Sequence, residues 1–396
     1  MPIKRLQGRF WLFFTGATIL FILSCGNEDD NMTNSPLESQ WDISESPYNG
    51  GKLLVLDGFI GPYGITVASD GNIYVSDLKE GRVVRFNRNF RYTGWLGMND
   101  SNSNSASGWH ISGTPVRGTE TGMFNMAHSV DFDARGNIFI ADYLNGRIHK
   151  YSPQGQFLGL FFDPPSRPEL AFDGCANGNF DRDFNLWVSD FNAHRVFKFG
   201  PDGSLIGWMG EYESGGLTSG FADTGQAKIS YINGGLYKPH MVQCDEQGNI
   251  YIVETGNHRV QKFDSSGRFL GWIGARSGGG LTDGWETTGE SVASDLPGGF
   301  SAPVSLQLVN DELMIITDNT NHRIQKFDID GHFIGWLGGK PDSTVTTGWE
   351  TSGQSGPGGD APGMFLAPYD ARLHGDTLYV ADGHNGRIQV FILDNP

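Results

Sequence analysis

The chain has 396 residues, enough for one large all-β domain or two ordinary ones. Its 57 glycines follow no Gly-X-Y period and so imply many tight turns, while an aromatic content of 12% excludes a disordered chain. A formal net charge of −17 repels phosphate backbones and argues against a nucleic-acid partner.

In chain order, the first element is a targeting segment. Lys4, Arg5 and Arg9 precede an apolar run from Phe10 to Leu23, short for a membrane span of about 20 residues. The run ends in Ile22-Leu23-Ser24-Cys25 and resembles a bacterial lipoprotein signal, with residues 1–24 removed and Cys25 lipidated. A plain signal peptide or an uncleaved anchor is the alternative. The acidic run Gly26-Asn27-Glu28-Asp29-Asp30 resembles the surface-export signal of lipoproteins in the Bacteroidetes group, or is simply a solvated tether. Residues 25–50, rich in Ser, Asn, Asp and Pro, read as a flexible leash. Loss of three cations with residues 1–24 takes the net charge from −17 to −20. The expected location is a bacterial outer membrane or cell surface, reached through a lipid anchor.

From residue 51 a repeat dominates. An acid, four residues and an arginine recur as Asp77…Arg82, Asp142…Arg147, Asp190…Arg195, Glu254…Arg259, Asp318…Arg323 and Asp382…Arg387, with arginine steps of 65, 48, 64, 64 and 64. The fourth copy shows the grammar. "HMVQCD", "NIYIVE", "RVQKFD" and "RFLGWIG" read as strands, separated by "EQG", "TGNH" and "SSG" turns or loops. Four antiparallel strands per unit, six units in a row, predict an all-β, six-bladed β-propeller over residues 51–396.

These units resemble NHL repeats, on the G-N-I-Y-V-x-D and N-x-R-[VI]-x-K-[FY] motifs at 71–77, 136–142, 145–151, 248–253, 257–263 and 321–327. The sixth unit lacks a fourth strand after "RIQVFIL". Residues 52–56 match the missing pattern and are expected to complete that last blade, closing the ring without an exposed edge. A monomer is expected. Cys175 and Cys244 fall at opposite ends of different inner strands, too far apart for a disulfide.

What recurs in every blade reads as scaffold. This covers the acid and arginine, the histidines of the "NHR" and "AHR" loops (His194, His258, His322), and the fourth-strand Trp95, Trp208, Trp272 and Trp336. What breaks the repeat is the first residue of each inner strand: Tyr63, His128, Ala176, His240, Val304 and Tyr369. His128, His240 and Tyr369 occupy alternate blades. This resembles, in part, peptidyl-α-hydroxyglycine α-amidating lyases. The resemblance implies a six-bladed propeller whose three channel histidines bind zinc, with His128, His240 and Tyr369 as the corresponding set here. Tyrosine in the third place suits zinc less well and leaves iron or copper open. The alternative is that the histidines only cap strands and bond water.

The 64- and 65-residue steps hold inserts of about sixteen residues after the fourth strands of blades 1, 3, 4 and 5, by subtraction from the 48-residue step. Each carries an aromatic, Trp109, Phe221, Trp285 or Trp349, within "GWHISG", "GFADTG", "GWETTG" and "GWETSG". These four are expected either to form an incomplete ligand-binding ring at the channel mouth or to brace their own loops, with Glu286 and Glu350 adding negative charge to the rim. The leading functional expectation is a recognition module for a peptide, protein or glycan on the insert face. The others are a metal-dependent lyase and an architectural subunit of an envelope complex.

Overall fold

Alternating apolar residues and tight Asx turns fold each repeat into an antiparallel four-stranded sheet. In blade 4 the strands are Pro239–Cys244, Ile250–Glu254, Arg259–Phe263 and Phe269–Arg276. Asp245 Oδ1 accepts from the amides of Gln247 and Asn249, pinning the first turn. The computed structural model describes residues 41, 43–46, 48, 51–100, 108–161 and 168–394. Segment 1–24, Cys25 and the leash as far as residue 40 lie outside them, and the described part belongs to one unit, Leu37–Pro396.

Six such sheets are present, and their first strands adjoin one another in a closed circle, from Pro62–Val67 in blade 1 to Asp370–His374 in blade 6. The protein is a six-bladed β-propeller. The face where first strands begin and second strands end is called upper here.

Residues 51–57 pair along their full length with Arg387–Leu393, Gly51 opposite Leu393 and Asp57 opposite Arg387, so the N-terminal strand completes the last blade as expected. A further strand, Ile43–Ser46, lies outside it, opposite Leu56 to Leu53. The leash was expected to run to residue 50, and the sheet instead begins at residue 43. Trp41 packs on Phe59, Phe86 and Tyr92, and Tyr48 packs on Phe391, so the first described residues staple the seam between blades 6 and 1.

Every blade carries the acid–arginine pair as a buried clamp. Its N–O distances are 2.9 Å for Arg82–Asp77, 3.2 Å for Arg147–Asp142, 3.1 Å for Arg195–Asp190, 2.5 Å for Arg259–Glu254 and 2.8 Å for both Arg323–Asp318 and Arg387–Asp382. The carboxylate also accepts an amide from the connection entering its own blade, such as Tyr237 N at 2.8 Å or Ser301 N at 2.7 Å. The arginine donates to carbonyls of the same connection, as Arg323 does to Asp295, Leu296 and Gly299. Cys175 and Cys244 are free thiols.

The loop histidines prove to be latches between blades. Nδ1 of His194, His258 and His322 accepts the amide of Lys238, Ala302 and Ala367 in the next blade, at 3.2, 2.9 and 3.0 Å. The accepted amides belong to residues in the left-handed region, φ 53°, 50° and 48°. A protonated ring has no acceptor there, so the latch requires neutral imidazole.

Two predictions follow from the seam and the latches. Val55, on the ring-closing strand, is buried in the core shared with Ile315 and Leu337 of blade 5, so Val55→Asp should cost more than about 4 kcal/mol in urea unfolding of the Leu37–Pro396 unit. A cost below about 1 kcal/mol would show that this strand does not seal the ring. Burial, with help from Lys238, lowers the His194 pKa to about 4 against Asp173 and a backbone bond. A folded pKa below the unfolded 6.5 gives stability that is whole above pH 6.5 and is lost as pH falls to about 4. The difference in melting temperature between wild type and His194→Asn should therefore shrink across that window. Taking the difference removes the opposite slope of buried carboxyls such as Asp190, raised to about 6 by burial despite Arg195.

Candidate functional site at the channel mouth

The clamps and latches leave the first residue of each inner strand free to face the axis. Tyr63, His128, Ala176, His240, Val304 and Tyr369 line one pocket with the residues just below them. The Tyr63 ring lies centrally. It is 4.1 Å from the His128 ring, 4.3 Å from the Tyr369 ring, against which it stacks, and 5.8 Å from the His240 ring. Burial raises the Tyr63 pKa well above 10, helped by Tyr369, and lowers His240 to about 4. The phenol thus keeps its proton, the imidazole is neutral, and the hydroxyl donates to His240 Nε2 at 2.6 Å.

A second layer, from the loops between second and third strands, stands above. Tyr143 stacks on His128 at 4.4 Å, and the Phe191 edge meets His240 at 5.5 Å. His384 Nε2 lies 3.1 Å from the Tyr369 hydroxyl. Burial drives the His128 pKa well below 6.5, and His240 adds to the effect. The Nδ1 atoms of His128 and His240 are buried and make no hydrogen bond of good geometry, although the Ala176 and Val304 backbones favour the protonated rings.

Arg372 forms the floor. It bonds the Ile65 carbonyl of blade 1 at 3.1 Å and the Leu306 carbonyl of blade 5 at 3.0 Å, and pairs with Asp370 at 3.2 Å. Beside it, Asp131 accepts amides of Phe180 and Phe132 at 2.7 and 2.9 Å, and burial pushes its pKa up to about 6. The space left between floor and aromatic layer is about 20 Å³, room for roughly one water. The mouth is a closed pocket rather than a pore.

His128, His240 and Tyr369 do reach the same space, with the two imidazole rings 6.1 Å apart. Tyr63 stands between them, and the Tyr369 hydroxyl turns to His384 instead. Among the described residues no group of three His, Cys, Asp or Glu side chains is placed to hold a metal. Two neutral imidazoles and a phenol that retains its proton fall short of a zinc donor set. Tyr63 lay in the ring of six first-strand residues. Alternate-blade symmetry passed over it, because its ring crosses the axis.

The insert aromatics are not at the mouth. Each insert leaves the upper face and folds back along the outer edge of its own fourth strand. Residues 110, 222, 286 and 350 pair there with Trp95, Trp208, Trp272 and Trp336. Trp109 stacks under Arg85 at 3.9 Å, while Lys198, Lys262 and Lys326 lie 5.4 Å from Phe221, Trp285 and Trp349. Trp285 Nε1 donates to Ile329 O of the next blade at 2.9 Å. The fourth-strand indoles in turn donate to the inserts, Trp272 to Thr288 O and Trp336 to Ser352 O. Each aromatic therefore packs on its own blade, Trp109 and Trp285 also tie it to the next, and the expected ring around the channel does not form. Glu286 pairs with Arg276, and Glu350 with Lys340, so neither adds free charge to the rim.

No family model matches the chain. It is 29% identical over 164 residues to the peptidylglycine alpha-amidating monooxygenase of Rattus norvegicus, a match spanning 40% of this chain and 14% of that protein. Among solved structures, a gluconolactonase from Xanthomonas campestris is similar at a TM-score of 0.53, with 12% identity over 91% of this chain and all of that one. An auxiliary nutrient binding protein from Bacteroides ovatus gives a TM-score of 0.52, with 12% identity over 89% of this chain and 76% of that one. Its namesake from Bacteroides thetaiotaomicron gives 0.51, with 13% identity over 84% and 69%. At such identities the likeness is one of fold, that of a β-propeller.

Proposed function

We propose that the protein is a lipid-anchored binding module of the bacterial envelope, whose ligand seats on the upper mouth of the axial pocket. The observation that carries this reading is the cluster of Tyr63, His128, Tyr143, Phe191, His240 and Tyr369. These are neutral imidazoles and aromatic rings, concentrated where the repeat is broken and closed below by Arg372. Such a cup offers hydrogen-bond partners without net charge and apolar walls, the chemistry of a site for an uncharged or amphipathic group. The insert aromatics support the walls from outside and are not contacts.

A metal-dependent enzyme of the amidating-lyase type is the second reading. The two channel imidazoles and the local likeness to peptidylglycine alpha-amidating monooxygenase favour it. It lacks a third strong donor from the chain.

Metal analysis of the purified Leu37–Pro396 unit separates the two. The binding reading expects no stoichiometric metal. One equivalent of zinc or iron, lost in both His128→Ala and His240→Ala, would turn the assignment to the enzyme. A ligand found by thermal-shift screening should stabilise by about 2.7 kcal/mol at a hundredfold excess over Kd. Tyr63→Phe should weaken it about tenfold. Trp285→Ala should lower stability by roughly 3 kcal/mol while leaving affinity unchanged. Affinity lost with Trp285→Ala and kept with Tyr63→Phe would move the site from the pocket to the inserts.

A further inference from the structure

The pocket is not the one place where the repeat is broken. Arg147, Arg259, Arg323 and Arg387 each clamp the same carbonyl of the connection entering their blade, at Glu120, Ile232, Leu296 and Ala361. This fixes the alignment of the connections. The residue just before that carbonyl is Thr119, Asp295 or Asp360 in three of them, and Tyr231 in the connection to blade 4. Likewise, the residue whose amide the clamp carboxylate accepts is Asn125, Asp173, Ser301 or Leu366 elsewhere, and Tyr237 before blade 4. The next residue is Met126, Gly174, Ala302 or Ala367 elsewhere, and Lys238 here. Three departures thus fall together, next to His240.

They form a continuous strip. The Tyr231 ring is 63% exposed and meets Tyr237 edge-on at 5.3 Å. Lys238 Nζ lies 5.9 Å from the Tyr237 ring and 5.4 Å from the Phe191 ring, and Phe191 abuts His240. In sequence, Ile229 lies two residues before Tyr231 and Ile232 directly after it, and they are 43% and 54% exposed. Tyr237 also meets the His194 ring at 5.4 Å, whereas Tyr231, Ile229 and Ile232 are open to solvent. No carboxylate of the described residues lies within ion-pair distance of Lys238 Nζ, in a chain of net charge −17.

We infer that Tyr231, Tyr237 and Lys238 form a subsite extending the axial pocket, and that it takes a peptide with a branched apolar side chain beside a carboxylate. The inference rests on the pocket reading above. The apolar side chain lies on Tyr231 between the two isoleucines, and the carboxylate meets Lys238. Sugars also stack on exposed tyrosine, but the flanking Ile229 and Ile232 offer their hydroxyls no partner, whereas they suit leucine or valine. The ammonium held over Phe191 gives the carboxylate a fixed cation at the pocket entrance.

Acetylated pentapeptides with one leucine, titrated calorimetrically into the Leu37–Pro396 unit, test this. One set ends in a free carboxylate after the leucine, a second is amidated with aspartate after the leucine, and a third is amidated without an acid. Each is paired with a version carrying serine for leucine. Wild type should bind at least one acidic set, with leucine preferred over serine roughly three- to tenfold. The acid should be preferred over its neutral partner about fivefold, an advantage that fades in high salt. The set that binds more tightly identifies the carboxylate as terminal or side-chain. Tyr231→Ser, at an exposed position, should abolish the leucine preference and keep that for the acid. Lys238→Gln should do the reverse. If His240→Gln weakens binding while both strip variants bind every peptide as wild type does, the subsite falls and the pocket stands. If none of the three substitutions matters, both fall. If maltohexaose or chitohexaose binds and no peptide does, the peptide assignment is overturned.

Discussion

The buried acid–arginine clamp is the interaction on which the rest of this propeller depends. Each pair ties the second and third strands, already paired with each other in the sheet, to the connection arriving from the previous blade. A buried ion pair does little for net stability by itself, because desolvation offsets its attraction. Its value here is geometric. The arginine fork holds carbonyls of the connection, while the carboxylate holds an amide five or six residues further on. The chain is thereby delivered to the axis in one orientation, with the first residue of the inner strand pointing inward. Burial raises the pKa of Asp190, Glu254, Asp318 and Asp382 against the pull of their arginines, which shows how fully these carboxylates are withdrawn from water.

Since the clamp fixes orientation, the residue it delivers is free to vary. The six channel positions hold tyrosine, histidine, alanine, histidine, valine and tyrosine, yet in blades 2 to 5 each sits at the same bulge opposite the second strand. The histidine latches extend the principle sideways. Each stabilises a left-handed residue immediately before the inner strand of the next blade, a conformation that costs about 1 kcal/mol for a residue other than glycine. Blade 3 begins from Gly174 and has no such latch, and its channel residue is the small Ala176. The polar cup is built from blades 1, 2, 4 and 6, whereas the latches enter blades 4, 5 and 6, so the channel residue varies independently of the latch.

Blade number, strand order and ring closure were legible in the sequence because they depend on periodicity and on pairing that admits one register. Ile43–Ser46 was not legible. Its "ISES" has no apolar alternation, its side chains are largely exposed, and it joins the sheet through backbone pairing and one exposed ion pair, Glu45 with Lys52. The insert aromatics were placed on the correct loops and the wrong surface. The insert starts at the upper face, but a run of about sixteen residues is long enough to return down the outer strand, where Arg85, Lys198, Lys262 and Lys326 offer cationic faces. At the channel, the sequence placed His128 and His240 in one space. It did not show that Tyr63 would reach across, since which ring crosses an axis depends on rotamers and not on spacing.

The environment of the pocket also bears on what can occupy it. The net charge of −17 draws cations to the chain, but at the pocket entrance a cation meets Lys238. Inside, however, desolvation leaves both imidazoles neutral and Tyr63 protonated, so the cup offers no anion to receive it. Arg372 beneath is already committed to two carbonyls and Asp370. Charge selection therefore acts at the rim, where Lys238 stands half-buried beside Phe191, and shape and hydrogen bonding act within. A ligand that satisfies both levels must carry its charge outside the pocket and its uncharged part toward His240. That polarity sets the direction in which a chain can lie across blade 4.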